Sequence, residues 1–164
     1  MLAIDPGALR LGWALLNTEP LTLIASGIQE VPKGDDEKHG DYLDRLICHW
    51  TEEAHVWLLE ERPDLIVTER LPVILSNVQA TSARIALTVI RSVAYRDGYP
   101  MVEIAANTIK KDLTGNGKAT KVAVRNAVIA TFPELEPRKR ELTNPADESD
   151  AIGIGIVGAK RFGK

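Results

Sequence analysis

The chain is poor in several things, and each shortage narrows what it can be. It has a single cysteine, Cys48, so no disulfide can close within it, and a reducing compartment fits. Aromatic residues make up only 5% of the 164 residues. No apolar run approaches the roughly 20 residues that cross a bilayer as a helix. The first apolar stretch is broken at once by Asp5, which is not the basic-then-apolar layout of a secretory signal. Repeats, low-complexity tracts and dividing linkers are missing too, so one domain over residues 1–164 is expected, long enough to bury a real core.

A strong excess of either charge is also lacking. The formal net charge is −3, which at first argues against a polyanionic partner. Its distribution changes that reading. Residues 30–61 carry ten acids and three bases, whereas residues 107–140 carry eight bases and three acids. The basic stretch includes Lys110, Lys111, Lys118, Lys121, Arg125 and the run Arg138-Lys139-Arg140. A polarised protein can present a basic face while its total stays acidic. The alternative is two solvated helical faces of opposite sign.

Periodicity orders the rest. Leu2–Asp5 reads as a strand, with Pro6-Gly7 and Gly12 marking a turn region around Arg10. Trp13–Leu16 and Leu21–Val31 read as two further strands, the latter with an irregularity at Gly27. A helix follows over about 41–61, with Leu43, Leu46, Ile47, Trp50, Ala54, Trp57 and Leu58 at helical spacing, stopped by Pro63. Asp64–Glu69 is short and nearly all apolar, as in a strand buried on both faces. Leu71–Val78 is apolar without a clear period. The helix expected over 79–97 is apolar on more than one face, which suits a central position or a surface shared with another chain. Met101–Ile104 is a strand, 107–113 a short helix, 114–117 a turn, 120–132 a helix and 133–144 a charged connection. The last helix covers about 145–160, with Asn144 as its N-cap and Pro145 at its first position. This order predicts an α/β fold with a mixed five-stranded sheet and helices on both faces.

Four acids stand out against that frame. Asp5 ends the first strand, at the rim where α/β sheets place ligands, although Asp also favours turns for its own sake. Glu69 ends a buried strand, where a carboxylate is costly unless compensated; an ion pair with neighbouring Arg70 is the structural alternative. Asp147 and Asp150 are three apart and share a helical face, although acids in a first turn also suit the helix dipole. The alternating glycines of Ala151-Ile152-Gly153-Ile154-Gly155-Ile156 suggest that this helix packs very close to the sheet, which brings its acidic turn against Asp5 and Glu69. Clustered carboxylates repel and call for cations, and hard oxygen donors suit Mg²⁺ or Mn²⁺. Two such ions, flanked by shared carboxylates, can drive in-line displacement at phosphorus. Asp5, Glu69, Asp147 and Asp150 are therefore the candidate catalytic residues and metal ligands, for two Mg²⁺ per site with Mn²⁺ as substitute. Lys110, Lys111, Lys118 and Lys121 are the candidate DNA-binding residues, since lysines neutralise phosphate as point charges.

These motifs together resemble the RuvC family of Holliday junction resolvases, within the RNase H-like nuclease superfamily. The likeness runs through Leu2-Ala3-Ile4-Asp5-Pro6-Gly7 with Gly12, through Asp64–Glu69, through Ile109-Lys110-Lys111 with Gly115-Asn116-Gly117 and Lys121, and through Ala146-Asp147-Glu148-Ser149-Asp150-Ala151. The resemblance implies an RNase H-like fold and a homodimer with two active sites acting on a four-way junction. It further implies Lys110 and Lys121 close to the scissile phosphate, 5′-phosphate and 3′-hydroxyl products, and a cytoplasmic place in a bacterial or phage-infected cell. A two-fold dimer also suits the approximate symmetry of such a junction, and the helix over 79–97 is the candidate interface. One departure stands out: the segment after Glu69, Arg70-Leu71-Pro72-Val73-Ile74-Leu75, lacks the aromatic side chain that family members often carry there. An apolar wedge from Leu71, Val73, Ile74 or Leu75 or packing in a dimer are the two readings left for it.

Three rivals remain. A branched-DNA (fork or flap) or RNA–DNA hybrid nuclease of the same superfamily would keep all four acids. An actin-like or sugar-kinase-like phosphate binder needs a second half for which 164 residues leave little room. A dead DNA-binding protein would have no use for the complete acidic set.

Overall fold

The structure is a computed structural model and describes residues 1–7, 10–71, 78–143 and 147–163. The chain opens with three strands, β1 (Leu2–Pro6), β2 (Arg10–Thr18) and β3 (Leu21–Glu30). Helix α1 (His39–Val56) ends in a π-helical turn over Trp57–Glu61, and β4 (Ile66–Glu69) follows. Then come α2 (Val78–Arg96), β5 (Met101–Ile104), α3 (Ala106–Thr114), α4 (Lys121–Thr131) and α5 (Asp147–Phe162). The strands form one sheet in the order β3-β2-β1-β4-β5. β1 is antiparallel to β2, and β2 to β3, while β4 runs parallel to both β1 and β5. The expected mixed five-stranded α/β sheet is what forms.

The period-2 alternation of the strands builds two cores. Leu2, Ile4, Leu11, Leu15 and Ile66 pack under α1 and α2 with Tyr42, Leu46, Trp50 and Ile90. Ala3, Ala14, Leu16 and Val67 pack under α5 with Ile152, Ile156 and Val157, and α4 closes that side with Val128 and Ile129. Helices cover both faces, as the burial of β1 and β4 on both sides requires.

Several local expectations are corrected. Gly12 is not in a turn: β2 begins at Arg10, and Gly12 pairs with Asp5 in mid-strand. The irregularity in β3 is not at Gly27 but at Ile24. Leu15 pairs with Ala25 and Leu16 with Leu23, which leaves Ile24 as the extra residue of a bulge. Gly27 instead lies across from Trp13, and a Cβ there would stand 3.1 Å from its indole. The charged connection after α4 contains two 3₁₀ turns, Pro133–Arg138 and Glu141–Thr143. Leu135 and Leu142 anchor them in the core, and apolar anchors this sparse leave no period to read. Arg62 closes the π turn in the left-handed region, φ 42°, just ahead of Pro63. The expected N-cap Asn144 with Pro145, and Val73, Ile74 and Leu75, lie outside the described residues.

Candidate active site

The alternation that sorts the core also sorts the acids. Asp5 shares the face of Ala3, and Glu69 shares the face of Val67, so both carboxylates point to the α5 side. β1 and β4 are parallel neighbours in the register Ile4 to Thr68. Asp5 and Glu69 are the next residues along, side by side at the C-terminal ends of two central strands. Thr68, fully buried on the opposite face, is the polar residue that alternation leaves behind.

Close packing of α5 brings in the other two acids. Gly155 and Gly158 lie against the sheet, where Cβ atoms would stand 2.3 Å from Leu16 and 2.9 Å from Val67. Gly153 turns the other way, toward Leu113, Val124 and Val128 of the α3–α4 side. The nearest approach is at Gly12: a Cβ there would meet the Asp147 carbonyl oxygen at 2.1 Å and the Ala151 side chain at 3.3 Å. A strand glycine opposite Asp5 is thus what lets the acidic first turn of α5 lie flush on the sheet. Gly12 therefore serves close packing rather than a turn, and the signal for this role is a lone glycine inside a strand-like run.

The lysines come from a capped helical hairpin. Gly115, at φ 79°, closes α3, and its N–H donates to the Lys111 carbonyl at 2.8 Å. The Lys118 N–H donates to Asn116 Oδ1 at 2.9 Å, and the Thr120 hydroxyl accepts from the Ala123 N–H at 3.3 Å to cap α4. Lys110 and Lys121 are thereby aimed at the strand ends from two sides of one turn.

Asp5, Glu69, Asp147, Asp150, Lys110 and Lys121 line one cavity of about 310 Å³, with Gly7, Ile109, Val124 and Ile154 among its other walls. Lys111 and Lys118 are exposed and do not line it. Arg70 does not pair with Glu69. It reaches Glu103 at 3.7 Å, and Glu103 also receives Arg91, so the ion-pair explanation for Glu69 falls away.

Electrostatics mark the cavity as a place short of cations. Burial pushes the Asp5 carboxyl well above the usual carboxylate range, with the charges of Asp150, Glu69 and Asp147 adding to it and Lys121 opposing. Glu69 is raised by burial and then by Asp150. Burial also raises Asp150, although Lys121 works against the rise. Lys121 Nζ lies 3.0 Å from Asp150 Oδ2. Burial disfavours its ammonium, but the bond to Asp150 and the nearby acids outweigh that and raise its pKa. Among the described residues no three acid, imidazole or thiol groups are drawn tightly enough together to close a metal cage. The four carboxylates nevertheless line one cavity. Hard oxygen donors from three elements fit divalent cations of the Mg²⁺ type.

The remaining acid of that turn, Glu148, has a different role. Glu148 is buried, 5% exposed, and points away from the cavity. Ser26 Oγ of β3 donates to its Oε1 at 2.6 Å, and Arg138 Nη2 donates to both of its oxygens at 3.0 Å. Arg138 Nε also donates to Glu141 at 2.9 Å. Lys139 pairs with Glu136, so two bases of the run Arg138-Lys139-Arg140 are engaged by acids of the chain itself.

An α/β sheet with paired parallel strand ends, an acidic helix turn laid against them and lysines facing the gap is the architecture of the RNase H-like nucleases. The comparisons narrow this to one branch. The family model "Crossover junction endodeoxyribonuclease RuvC" matches residues 1–158. The RuvC protein of Rickettsia bellii (strain OSU 85-389) is 31% identical over 160 residues, 96% of this chain and 94% of the relative. That of Streptomyces coelicolor is 29% identical over 95% of this chain and 79% of its own length. The structure titled "T. thermophilus RuvC in complex with Holliday junction substrate" superposes with a TM-score of 0.71 at 23% identity, covering 96% of this chain and 91% of that one, which supports the fold. The chain belongs to the RuvC family of crossover junction endodeoxyribonucleases.

Proposed function

We propose that this protein is a metal-dependent endonuclease that resolves four-way DNA junctions by paired symmetric nicks. The observation that carries the proposal is the single cavity lined by four carboxylates from β1, β4 and α5 and by two lysines from α3 and α4. Asp5, Glu69, Asp147 and Asp150 are the candidate ligands of two Mg²⁺ ions, with Mn²⁺ as substitute. When bound, such ions supply charge neutralisation at the phosphate and a more acidic attacking water.

The chain's own residues do the rest. Lys110 and Lys121 donate to the non-bridging oxygens of the scissile phosphate, where negative charge gathers as water adds. Lys121 makes this contact by exchanging its bond to Asp150 for one to phosphate. The apolar walls Ile109, Val124 and Ile154 limit water in the pocket and strengthen these charge contacts. A new P–O bond forms from water, which gives up a proton to solvent; the P–O3′ bond breaks, and the departing 3′ oxygen takes a proton from solvent, so the two transfers balance. The products are a 5′-phosphate and a 3′-hydroxyl that can be religated. Lys111 and Lys118, exposed on the same hairpin, contact phosphates beyond the cut. The whole of 1–164 acts as one nuclease domain on cytoplasmic DNA; among the described residues no helix is long and apolar enough to cross a membrane. Two copies related by a two-fold axis place two sites on opposed strands of the junction, and α2 is the proposed contact.

The test is cleavage of a labelled synthetic four-way junction, a fork and a linear duplex, each with Mg²⁺ and with EDTA. Paired symmetric nicks in the junction, dependent on metal and absent from the duplex, are expected. Equal cutting of forks would instead make it a general branched-DNA nuclease, and tight junction binding without cleavage would make it a binding protein.

A further inference from the structure

Glu148 and Asp150 are two residues apart in a helix, so they project from flanks about 200° apart around its axis. The sheet-facing residues Ala151, Gly155 and Gly158 lie between those flanks. On one flank Asp150 faces Asp5, Glu69 and Asp147 in the cavity. On the other flank Glu148 is locked to Ser26 of β3 and to Arg138 of the 3₁₀ turn. Ser26 pairs with Ala14, whose side chain lies in the α5 core, so the hydroxyl rises on the α5 side of the sheet. Like charges on Asp5, Glu69, Asp147 and Asp150 repel, a force directed to lift the first turn of α5 off the strand ends. A buried carboxylate held by two oxygens in a charged clasp resists that push from the opposite side.

A buried acid of this kind is costly unless fully partnered, and three hydrogen bonds partner this one. The clasp also spends the charge of Glu148 on Arg138, so a further acid of the same turn adds nothing to the negative field of the cavity. Arg138 is half-exposed but engaged by buried Glu148 and by surface Glu141, which sets it apart from exposed Arg140, Lys111 and Lys118 as a base serving the protein rather than DNA.

We infer that Ser26, Glu148 and Arg138 form a positioning clasp that seats the acidic first turn of α5 against β1 and β2, holding Asp147 and Asp150 in place for cations before any cation arrives. The inference rests on the metal-site reading above, and the clasp has a consequence that can be read without metal. Backbone amides of 147–151 are expected to exchange hydrogen more slowly while the turn is seated than once it is freed.

The variants Glu148→Gln, Arg138→Gln, the double variant and Ser26→Ala test this on the full chain. Each is compared with the native protein by amide exchange in EDTA and by calorimetric titration of Mg²⁺ and Mn²⁺ without DNA. Glu148→Gln keeps the hydrogen-bonding shape of the side chain and is the variant that safeguards folding. Exchange at 147–151 is expected to quicken about 10-fold in Glu148→Gln and Arg138→Gln, with protection elsewhere unchanged. Metal affinity is expected to fall three- to tenfold. The double variant should be no worse than either single one, and Ser26→Ala should fall about twofold. Unchanged exchange at 147–151 in folded Glu148→Gln overturns the clasp. Native metal affinity in Arg138→Gln, with a junction-binding salt dependence shallower by about one ion, also overturns it and makes Arg138 a phosphate contact. If the native chain binds no divalent cation, the metal-site reading fails instead, and amide exchange still decides the clasp.

Discussion

The two faces of the sheet are built on different principles. Under α1 and α2 the core is made of large side chains, with Tyr42, Trp50 and Trp57 among them, and the helices stand off at the distance such bulk imposes. Under α5 large side chains such as Leu16, Val67, Ile152 and Ile156 are interleaved with Ala3, Ala14, Ala151, Gly155 and Gly158, and at Gly12 helix main chain rests on strand main chain with no room for a methyl group. The first face supplies stability in the ordinary way. The second gives up side-chain volume so that charged groups from one helix turn can stand beside charged groups from two strand ends. Bulk holds a fold together, whereas thinness brings distant residues within reach of one ligand.

The largest expected effect falls on the thin face. Asp5→Asn should abolish junction cleavage, at least about 10³-fold by analogy with the loss of other transition-state charge contacts, while junction binding in a gel assay stays native. The same variant should be more stable when metal is absent. Burial first, and then Asp150, Glu69 and Asp147, raise the Asp5 pKa, so the folded state holds this proton more tightly than the unfolded state. Stability from this group is therefore full below the ordinary carboxylate value and is lost as pH rises through that range toward the raised one. In EDTA near pH 7, Asp5→Asn should melt above the native chain, with the gap closing below about pH 4. Identical melting curves at every pH would mean that Asp5 is not strained by its neighbours.

Next in size is Gly12→Ala, which inserts a methyl group where the Asp147 carbonyl lies. It should lower kcat about 10²-fold through misplacement of the α5 turn and cost roughly 1–3 kcal/mol of stability from overpacking. A kcat within threefold of native would show that the turn need not sit flush. Leu46→Ala, fully buried on the thick face, should invert the balance. A loss of about 2–5 kcal/mol in denaturant unfolding should accompany a kcat within twofold of native wherever the chain stays folded. A large fall in kcat for folded Leu46→Ala would break the division of labour between the faces. The smallest effect belongs to Lys111→Ala or Lys118→Ala, which should weaken junction binding a few-fold and reduce the salt slope by about one, with the metal requirement unmoved. An unchanged slope would take either lysine off the DNA surface.

Much of this was legible in the chain because the relevant signals are local. Strand ends at Asp5 and Glu69, the apolar period of α1, the Asp-x-x-Asp turn and the glycines of α5 can each be read within a dozen residues. What escaped depends on partners far away in sequence. Gly12 looks like turn punctuation until Asp147 is placed above it. Arg138 looks like one more base of a basic run until Glu148 and Glu141 are found around it. Glu148 looks like a dipole acid until Ser26, 122 residues away, donates to it. The bulge falls at Ile24 rather than Gly27 because pairing with β2, not local flexibility, sets the register. The 3₁₀ turns over 133–143 hide for the same reason, since two buried leucines among charged residues carry no period.

The order of elements along the chain has a consequence in time. Asp5 lies in the first strand, Glu69 in the fourth, and Asp147 and Asp150 in the last helix. During synthesis the first four strands and α1 emerge with two of the cavity's four acids and none of the turn that faces them. The α5 side of the sheet stays uncovered by that helix until α5 emerges and docks. The acidic cavity is thereby completed only when α5 arrives, and a chain cut before Asp147 carries no complete set of its acids.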